Sequence, residues 1–250
     1  MTQLFLIGIG TGNPDHLTGE ARRAIAQADL FLIPHKGAGK SDLADLRTRI
    51  IDTVRSDATV AGFDMPVRDD DLPYLDGVEA WHDTIARIWT DTMAQHPGAQ
   101  RVALLVWGDP SLYDSTLRIA ARLDPMPEVH VVAGITSVQA LTAAHAIPLN
   151  TLNGPVTIST GRRLRDHGWP EGCETLVVML DGTCAFQELD GDGFDIWWGA
   201  YLGMPEQMLA CGRLGDVGAD IVSRRAAARA DHGWIMDTYL LRRVDKALKK

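Results

Sequence analysis

Three short stretches of this chain set glycine beside polar side chains just where an apolar run stops. The first is LIGIGTGNP, Leu6 to Pro14, with glycine at positions 8, 10 and 12. The second is VWGDPSLY, where a strong apolar run ends in Gly108, Asp109 and Pro110. The third is VVAGITSVQA, in which Gly134 precedes Thr136 and Ser137. Glycine lets a ligand touch the main chain, a carboxylate accepts from an amine or a hydroxyl, and a hydroxyl at a helix start satisfies free N–H groups. Each stretch also has a plain structural reading: a tight turn, an Asp-Pro turn and a helix cap.

Two phosphate-binding readings fail on spacing. A dinucleotide turn needs G-x-G-x-x-G, with the third glycine where helix packs on strand. Counted from Gly8 that position is Asn13, and from Gly10 it is Asp15. The second strand, ADLFLIP, ends in Ile33 and Pro34 with no acid for a ribose. HKGAGKS lies between a strand and a helix, as a P-loop does, but Pro34 occupies the place of its first glycine. Proline removes an N–H from the phosphate cradle. A nucleotide-binding phosphotransferase stays open as the alternative reading of that stretch.

The bulk properties narrow the class. The chain has 250 residues, 46 % apolar and 23 % charged, as in ordinary globular proteins. No apolar run approaches the roughly 20 residues of a membrane span, and the N-terminus MTQLFLIG enters a strand without a basic leader. Net charge is −9 without an extended basic run before the C-terminal tail, which argues against nucleic acid. Cys173, Cys184 and Cys211 are scattered and lack metal-ligand spacing, so neither a metal site nor a disulfide framework is expected, and a reducing cytoplasm is. The acidic run Asp69 to Asp71 reads as a solvated face.

The elements that must carry these stretches alternate. QLFLIGIG reads as a buried strand, and a helix is expected from Asp15 to Ala28 with Leu17, Ala21, Ala24, Ile25 and Ala28 on one face. ADLFLIP is a second strand; Ser41 or Asp42 caps a helix with Leu43, Leu46 and Ile50 inward. DATVAGF reads as a short strand. Val78, Trp81, Ile85, Ile88 and Trp89 mark a long amphipathic helix. RVALLVWGDP, helix LYDSTLRIAARL and strand EVHVVAG follow. This alternation implies a parallel sheet with right-handed crossovers. After Gly134 the helix ITSVQALTAAHAI leads to strands near PVTIST, ETLVVML, DIWWGAYL and WIMDTYLL, with fewer long helices between. The fold class expected is therefore α/β in two domains, residues 1–133 with a mostly parallel sheet and residues 134–250 with a mixed sheet.

Taken together and in this order, the three glycine stretches resemble the tetrapyrrole methylase family, whose members methylate uroporphyrinogen, precorrins and related substrates with S-adenosylmethionine. Where that family reads GPGDP, this chain has Gly10, Thr11, Gly12, Asn13 and Pro14; where it reads GGDP, Trp107 precedes Gly108; Ala133 stands at a common proline. The blocks KGAGKSDLADLR, VEAWHDTIARIW, PVTISTGRRL, LVVMLDGTCAF, IWWGAYLGMPEQM and HGWIMDTYLLRR are similar to the branch of the family that methylates carbon 1 of precorrin-5 and releases its acetyl group as acetate. Other precorrin methyltransferases of the family, and a non-catalytic tetrapyrrole carrier, are the alternatives.

The resemblance implies an active site in a cleft between the domains, a cytoplasmic homodimer and no membrane or nucleic-acid partner. It places cofactor contacts on Thr11, Trp107, Gly108, Asp109, Leu112, Thr136, Ser137, Leu180, Leu202 and Gly203, with S-adenosylhomocysteine as the product. Methyl transfer from a sulfonium needs positioning and no proton transfer, which fits the lack of a triad or metal cluster in the sequence. A carboxylate-fringed tetrapyrrole calls for basic side chains; Arg162, Arg163 and Arg165 are the first candidates and Lys36 and Lys40 the next. Loss of acetate calls for a general base, for which His35, His82, Asp109, Tyr113 and Asp181 are candidates.

Overall fold

Alternating apolar residues in the N-terminal half build a sheet that is covered on both faces. The computed structural model describes residues 2–35, 41–69 and 71–244, apart from the side chains of residues 41 and 42. The chain divides into two compact units, Met1–Thr136 and Ser137–Lys250.

In the first unit, strands β1 (Gln3–Gly8), β2 (Leu30–His35), β3 (Val60–Asp64), β4 (Arg101–Val106) and β5 (Glu128–Val132) form a sheet in the order β3-β2-β4-β1-β5. Every pairing is parallel, with Leu6 beside Leu104 and Val131. Leu4, Leu6, Leu30, Leu32, Val102 and Leu104 point to one face, against Ile85 and Trp89 of α3 (Tyr74–Ala94) and Ile119 of α4 (Thr116–Ala120). Ile7, Phe31, Ile33, Ala103 and Leu105 point to the other, against Ala21 and Ile25 of α1 (Gly19–Gln27) and Ile50 and Ile51 of α2 (Ser41–Asp52). Strands buried on both faces are apolar throughout, which is why β1 and β4 stand out in the sequence. β1 and β4 are neighbours, yet the helices that follow them lie on opposite faces. An open α/β sheet leaves a ligand crevice at the carboxyl ends of such a strand pair.

Two helices are shorter than the periodicity suggests, for local reasons. The helix expected from Asp15 begins at Gly19, because Asn13 caps a separate 3-10 turn, Pro14–His16, and Thr18 then accepts the Ala21 N–H at 3.0 Å. The helix expected from Leu112 is reduced to α4, because Asp114 turns back to accept the Thr116 N–H at 2.7 Å.

The second unit contains α5 (Ser137–Ala144), β6 (Val156–Thr160), α6 (Gly161–His167), β7 (Thr175–Met179), β8 (Phe194–Ala200), β9 (Met208–Arg213), α7 (Leu214–His232) and β10 (Asp237–Arg243). Its sheet runs β6-β7-β10-β8-β9, parallel between β6 and β7 and antiparallel elsewhere, so it is mixed as expected. The sequence reading passed over both β9 and the 19-residue α7.

A closed polar network lies under this sheet. Arg225 of α7 donates to Asp237 at 2.8 Å and to the Asp181 carbonyl at 2.7 Å. Trp198 Nε1 donates to the same Asp237 at 3.0 Å. Burial disfavours the charged guanidinium, but the bond to Asp237 outweighs it and holds the Arg225 pKa above its usual value. Removing the partner of a buried charge costs about 3–5 kcal/mol. Asp237→Ala is therefore expected to lower unfolding free energy by about that amount in urea titrations; a loss under about 1 kcal/mol would show that Arg225 finds water instead.

Candidate active site at the carboxyl edge of the parallel sheet

The three glycine stretches meet. Gly10 and Gly108 form a two-bond main-chain bridge, with Gly108 N–H donating to Gly10 O at 2.7 Å and Gly10 N–H to Gly108 O at 3.3 Å. Both residues take positive φ, 71° and 64°, which glycine adopts without strain. Gly134 packs directly on Gly8. A Cβ on Gly134 would stand 2.8 Å from the Gly8 backbone and collide with the Gly108 carbonyl. Gly108, by contrast, is not crowded: a Cβ there would make an ordinary contact with Thr136 Cα at 3.6 Å.

Asp109 is the strut of this arrangement. Its carboxylate accepts from Ser111 N–H at 2.8 Å, from the Ser111 hydroxyl and from Gly134 N–H at 2.8 Å. Burial alone would raise its pKa; the hydrogen bonds outweigh burial and hold the carboxyl below its ordinary value. Asp109 thus stays ionised and ties the second stretch to the third. Leu112 closes the same turn through its N–H to Asp109 O at 3.2 Å.

Next to the strut, Trp107 is half-buried and its Nε1 is buried without a partner. The guanidinium of Arg47, from α2, lies 5.1 Å from the centroid of its ring. Arg47 donates to Leu105 O at 3.1 Å and Leu43 O at 3.2 Å and makes no ion pair among the described residues. Burial lowers its pKa to about 10, and the charge of Asp114 only partly opposes this. Its hydrogen bonds go to main-chain carbonyls and not to a carboxylate, so the guanidinium keeps a net charge suited to an anionic ligand group.

The remaining candidates of the first unit are spread out. Tyr113 lies in the loop after Asp109, exposed and left-handed at φ 50°. His35 ends β2, and its ring lies against Gly62 of β3. His82 is 2 % exposed on the inner stripe of α3, and neither ring nitrogen has a partner. Burial first, and then the positive charge of Arg122, lower its pKa. Lys36 and Lys40, with the glycines of HKGAGKS, lie outside the described residues.

In the second unit, the candidates gather at one edge of the mixed sheet. β7 and β8 both end beside the start of β10, where Val178 pairs with Tyr239 and Ala200 with Asp237. Leu180 follows β7 and is left-handed at φ 53° while 67 % exposed. A large apolar residue that is both strained and wet is costly, and such residues cluster at ligand sites. Leu202 is buried after β8, and Gly203 N–H donates to Gln207 at 2.8 Å. β6 ends beside β7, so Arg162, Arg163 and Arg165 at the start of α6 share this edge. Arg165 pairs with Asp166 at 2.9 Å on the surface. Ser137 begins α5 with its hydroxyl buried and unpartnered.

Asp181 is occupied. It accepts from Thr183 N–H at 2.9 Å, the Thr183 hydroxyl at 3.2 Å, Ala185 N–H at 2.6 Å and the Tyr239 hydroxyl at 2.7 Å. Burial and the Asp181 charge push the Tyr239 pKa far up, so that hydroxyl remains a donor.

Sequence reasoning missed two residues of this edge. Arg47 had a visible signal, a cation at the i+4 position from Leu43 on the inward stripe of α2. His16 had less, being a lone histidine in the turn before Thr18. Its Nδ1 lies 3.0 Å from Thr11 Oγ1.

Comparison with known proteins agrees along nearly the whole chain. The profile of the tetrapyrrole (corrin/porphyrin) methylases matches residues 3–218. The chain is 46 % identical over 251 aligned positions to the precorrin-6A synthase [deacetylating] of a Sinorhizobium species, covering 97 % of this chain and 96 % of that protein. The crystal structure of a cobalamin-synthesis-related protein, CobF, of Corynebacterium diphtheriae superposes with a TM-score of 0.84 at 37 % identity, covering 98 % and 100 % of the two chains. A uroporphyrin-III C-methyltransferase of Thermus thermophilus, solved with S-adenosylhomocysteine, shares the fold at a TM-score of 0.59 and 18 % identity, covering 96 % of each chain.

The geometry has two measurable consequences. Gly134→Ala must push the second and third stretches apart, and is expected to cost about 1–3 kcal/mol of stability; an unchanged melting temperature would show the contact to be slack. His82 regains its ordinary pKa, 6.5, when the chain unfolds. The unfolded chain then takes up a proton that the folded one refuses, so its stabilising effect is complete above that pH and is lost as pH falls below it. His82→Leu is expected to flatten the fall in melting temperature between about pH 7 and pH 5. Parallel slopes for variant and parent would contradict the assignment.

Proposed function

The chain belongs to the tetrapyrrole methylase family, and from that premise we propose that it methylates carbon 1 of precorrin-5 with S-adenosylmethionine and releases the acetyl group as acetate, giving precorrin-6A. The observation that carries this reading is the match over 97 % of the chain to a precorrin-6A synthase [deacetylating]. The site supports the class of cofactor independently. An adenosyl sulfonium carries no phosphate, and the residues offer what such a ligand needs: uncrowded main chain at Gly108 and, at Trp107 Nε1, a donor without a partner among the described residues.

In this reading Thr11, Trp107, Gly108, Leu112 and Thr136 hold the cofactor, and the family resemblance assigns Ser137, Leu180, Leu202 and Gly203 to it as well. Asp109 acts through its grip on Gly134. When bound, the sulfonium supplies an electrophilic methyl group. The protein's contribution is to fix the acceptor carbon in line with it and to exclude water, which is worth several powers of ten in rate. Arg47, Arg162, Arg163 and Arg165, with Lys36 and Lys40, are the cations offered to the substrate carboxylates. We further propose a cytoplasmic homodimer, the state the family resemblance implies.

S-Adenosylhomocysteine at 100 times its Kd should stabilise the protein by about 2.7 kcal/mol, or roughly 5–10 °C in melting temperature. Incubation with precorrin-5 and methyl-labelled cofactor should yield labelled tetrapyrrole and acetate in equal amounts. A thermal shift with ATP and magnesium instead would favour the phosphotransferase reading. Tetrapyrrole binding without either product would favour a carrier.

A further inference from the structure

Loss of an acetyl group by attack of water needs a proton acceptor, and four of the five side chains first considered for it are poorly placed. Asp109 and Asp181 already accept from three and four donors respectively. His82 is enclosed in the core, and the His35 ring lies against Gly62. We propose that His16, set by Thr11, is the proton acceptor for acetyl removal; this rests on the deacetylating reaction proposed above.

Three observations place the pair. Thr11 directly follows Gly10, one half of the main-chain bridge to Gly108. The His16 side chain packs on Gly10 itself, since a Cβ there would stand 2.6 Å from the His16 Cβ. The His16 main-chain N–H donates to Asn13 O at 2.9 Å, which fixes the backbone, and the ring is held through Nδ1, 3.0 Å from Thr11 Oγ1. The half-buried ring therefore sits on the loop that the resemblance assigns to the methyl donor, and its Nε2 has no partner among the described residues. In this assignment Nδ1–H is the donor and the Thr11 hydroxyl the acceptor, which leaves the lone pair on Nε2, the role an orienting group plays for a catalytic histidine.

The chemistry balances with water and the sulfonium as the only co-reactants. Nε2 takes a proton from water as the water oxygen bonds to the acetyl carbonyl carbon. The tetrahedral adduct then collapses, breaking the bond between that carbon and macrocycle carbon 1. Acetic acid leaves, and it and the protonated Nε2 each give a proton to solvent. The electron pair of the broken bond stays on carbon 1, spread into the conjugated ring. That pair is then the nucleophile for the sulfonium methyl; the new carbon–carbon bond forms as the sulfur–carbon bond breaks toward sulfur. One site on the Gly10 turn thus serves both halves, because the carbon that loses acetyl is the carbon that gains methyl.

The test compares His16→Asn, His16→Ala, Thr11→Val and Thr11→Ser with the parent, measuring S-adenosylhomocysteine affinity, acetate release and methyl incorporation separately. His16→Asn is expected to keep that affinity within about threefold and to release acetate about 100-fold more slowly or worse. Added imidazole should restore part of the rate in His16→Ala. Thr11→Val should release acetate about tenfold more slowly than Thr11→Ser, which keeps the hydroxyl. Parental acetate release by His16→Asn overturns the assignment while leaving the deacetylating reading intact. So does a loss of affinity and rate in proportion without imidazole rescue, which marks a structural role. If neither histidine variant holds S-adenosylhomocysteine, the Thr11 pair decides, and equal rates overturn the proposal. A parent that methylates without releasing acetate removes both this inference and the reading beneath it.

Discussion

Backbone against backbone, with no side chain between, is the contact on which the parallel-sheet site depends. Gly8, Gly108 and Gly134 come from three strands that are adjacent in space and remote in sequence. Their atoms approach to distances that a methyl group would forbid, and the bridge between Gly10 and Gly108 locks two of the three turns together. The Asp109 carboxylate then secures the third through Gly134. A loop normally has many conformations. These three restrict one another, so the ends of β1, β4 and β5 present one fixed edge. Trp107, Thr11 and His16 take their positions from that edge.

The network around Asp181 and Asp237 and the carboxyl edge of the parallel sheet treat buried polarity in opposite ways. Beneath the mixed sheet, Asp181, Asp237, Arg225, Tyr239 and Trp198 satisfy one another, with Thr183 and Ala185 completing the set around Asp181. A network of that kind specifies one packing and has little left for a ligand. At the carboxyl edge of the parallel sheet, among the described residues, Trp107 Nε1 lacks a partner and Arg47 lacks a counter-ion. Buried polar groups are nearly always paired, so exceptions at a glycine-lined edge are where an external partner is expected. His82 is an exception of a different kind, enclosed on α3 beside the charges of Arg118 and Arg122.

Much of this was legible in the residues. The alternation of β1, α1, β2 and β4 follows from continuous apolar runs between turn residues, and the three glycine stretches mark turns that the fold brings into contact. The helix boundaries were not legible, because Asn13 and Asp114 compete with helix formation through their own side chains. α7 escaped notice because its inward face is built from Gly218, Ile221, Arg225 and Ala228, a stripe in which a glycine and a charge replace bulky apolar residues. The role of Asp109 was also hidden. Sequence offered it as a base or a cofactor ligand; its bond to Gly134, 25 residues on, depends on β4 and β5 both flanking β1. His16 and Arg47 were missed because a side chain's tertiary partner leaves no mark in local periodicity.

The central claim is that three turns form one binding surface for an adenosyl sulfonium. Amide hydrogen exchange with and without S-adenosylhomocysteine reads this directly, segment by segment. The account predicts that residues 9–13, 107–112 and 133–137 gain protection together and over the same ligand range. Protection confined to one of these segments, or appearing instead around residues 34–41, would contradict it.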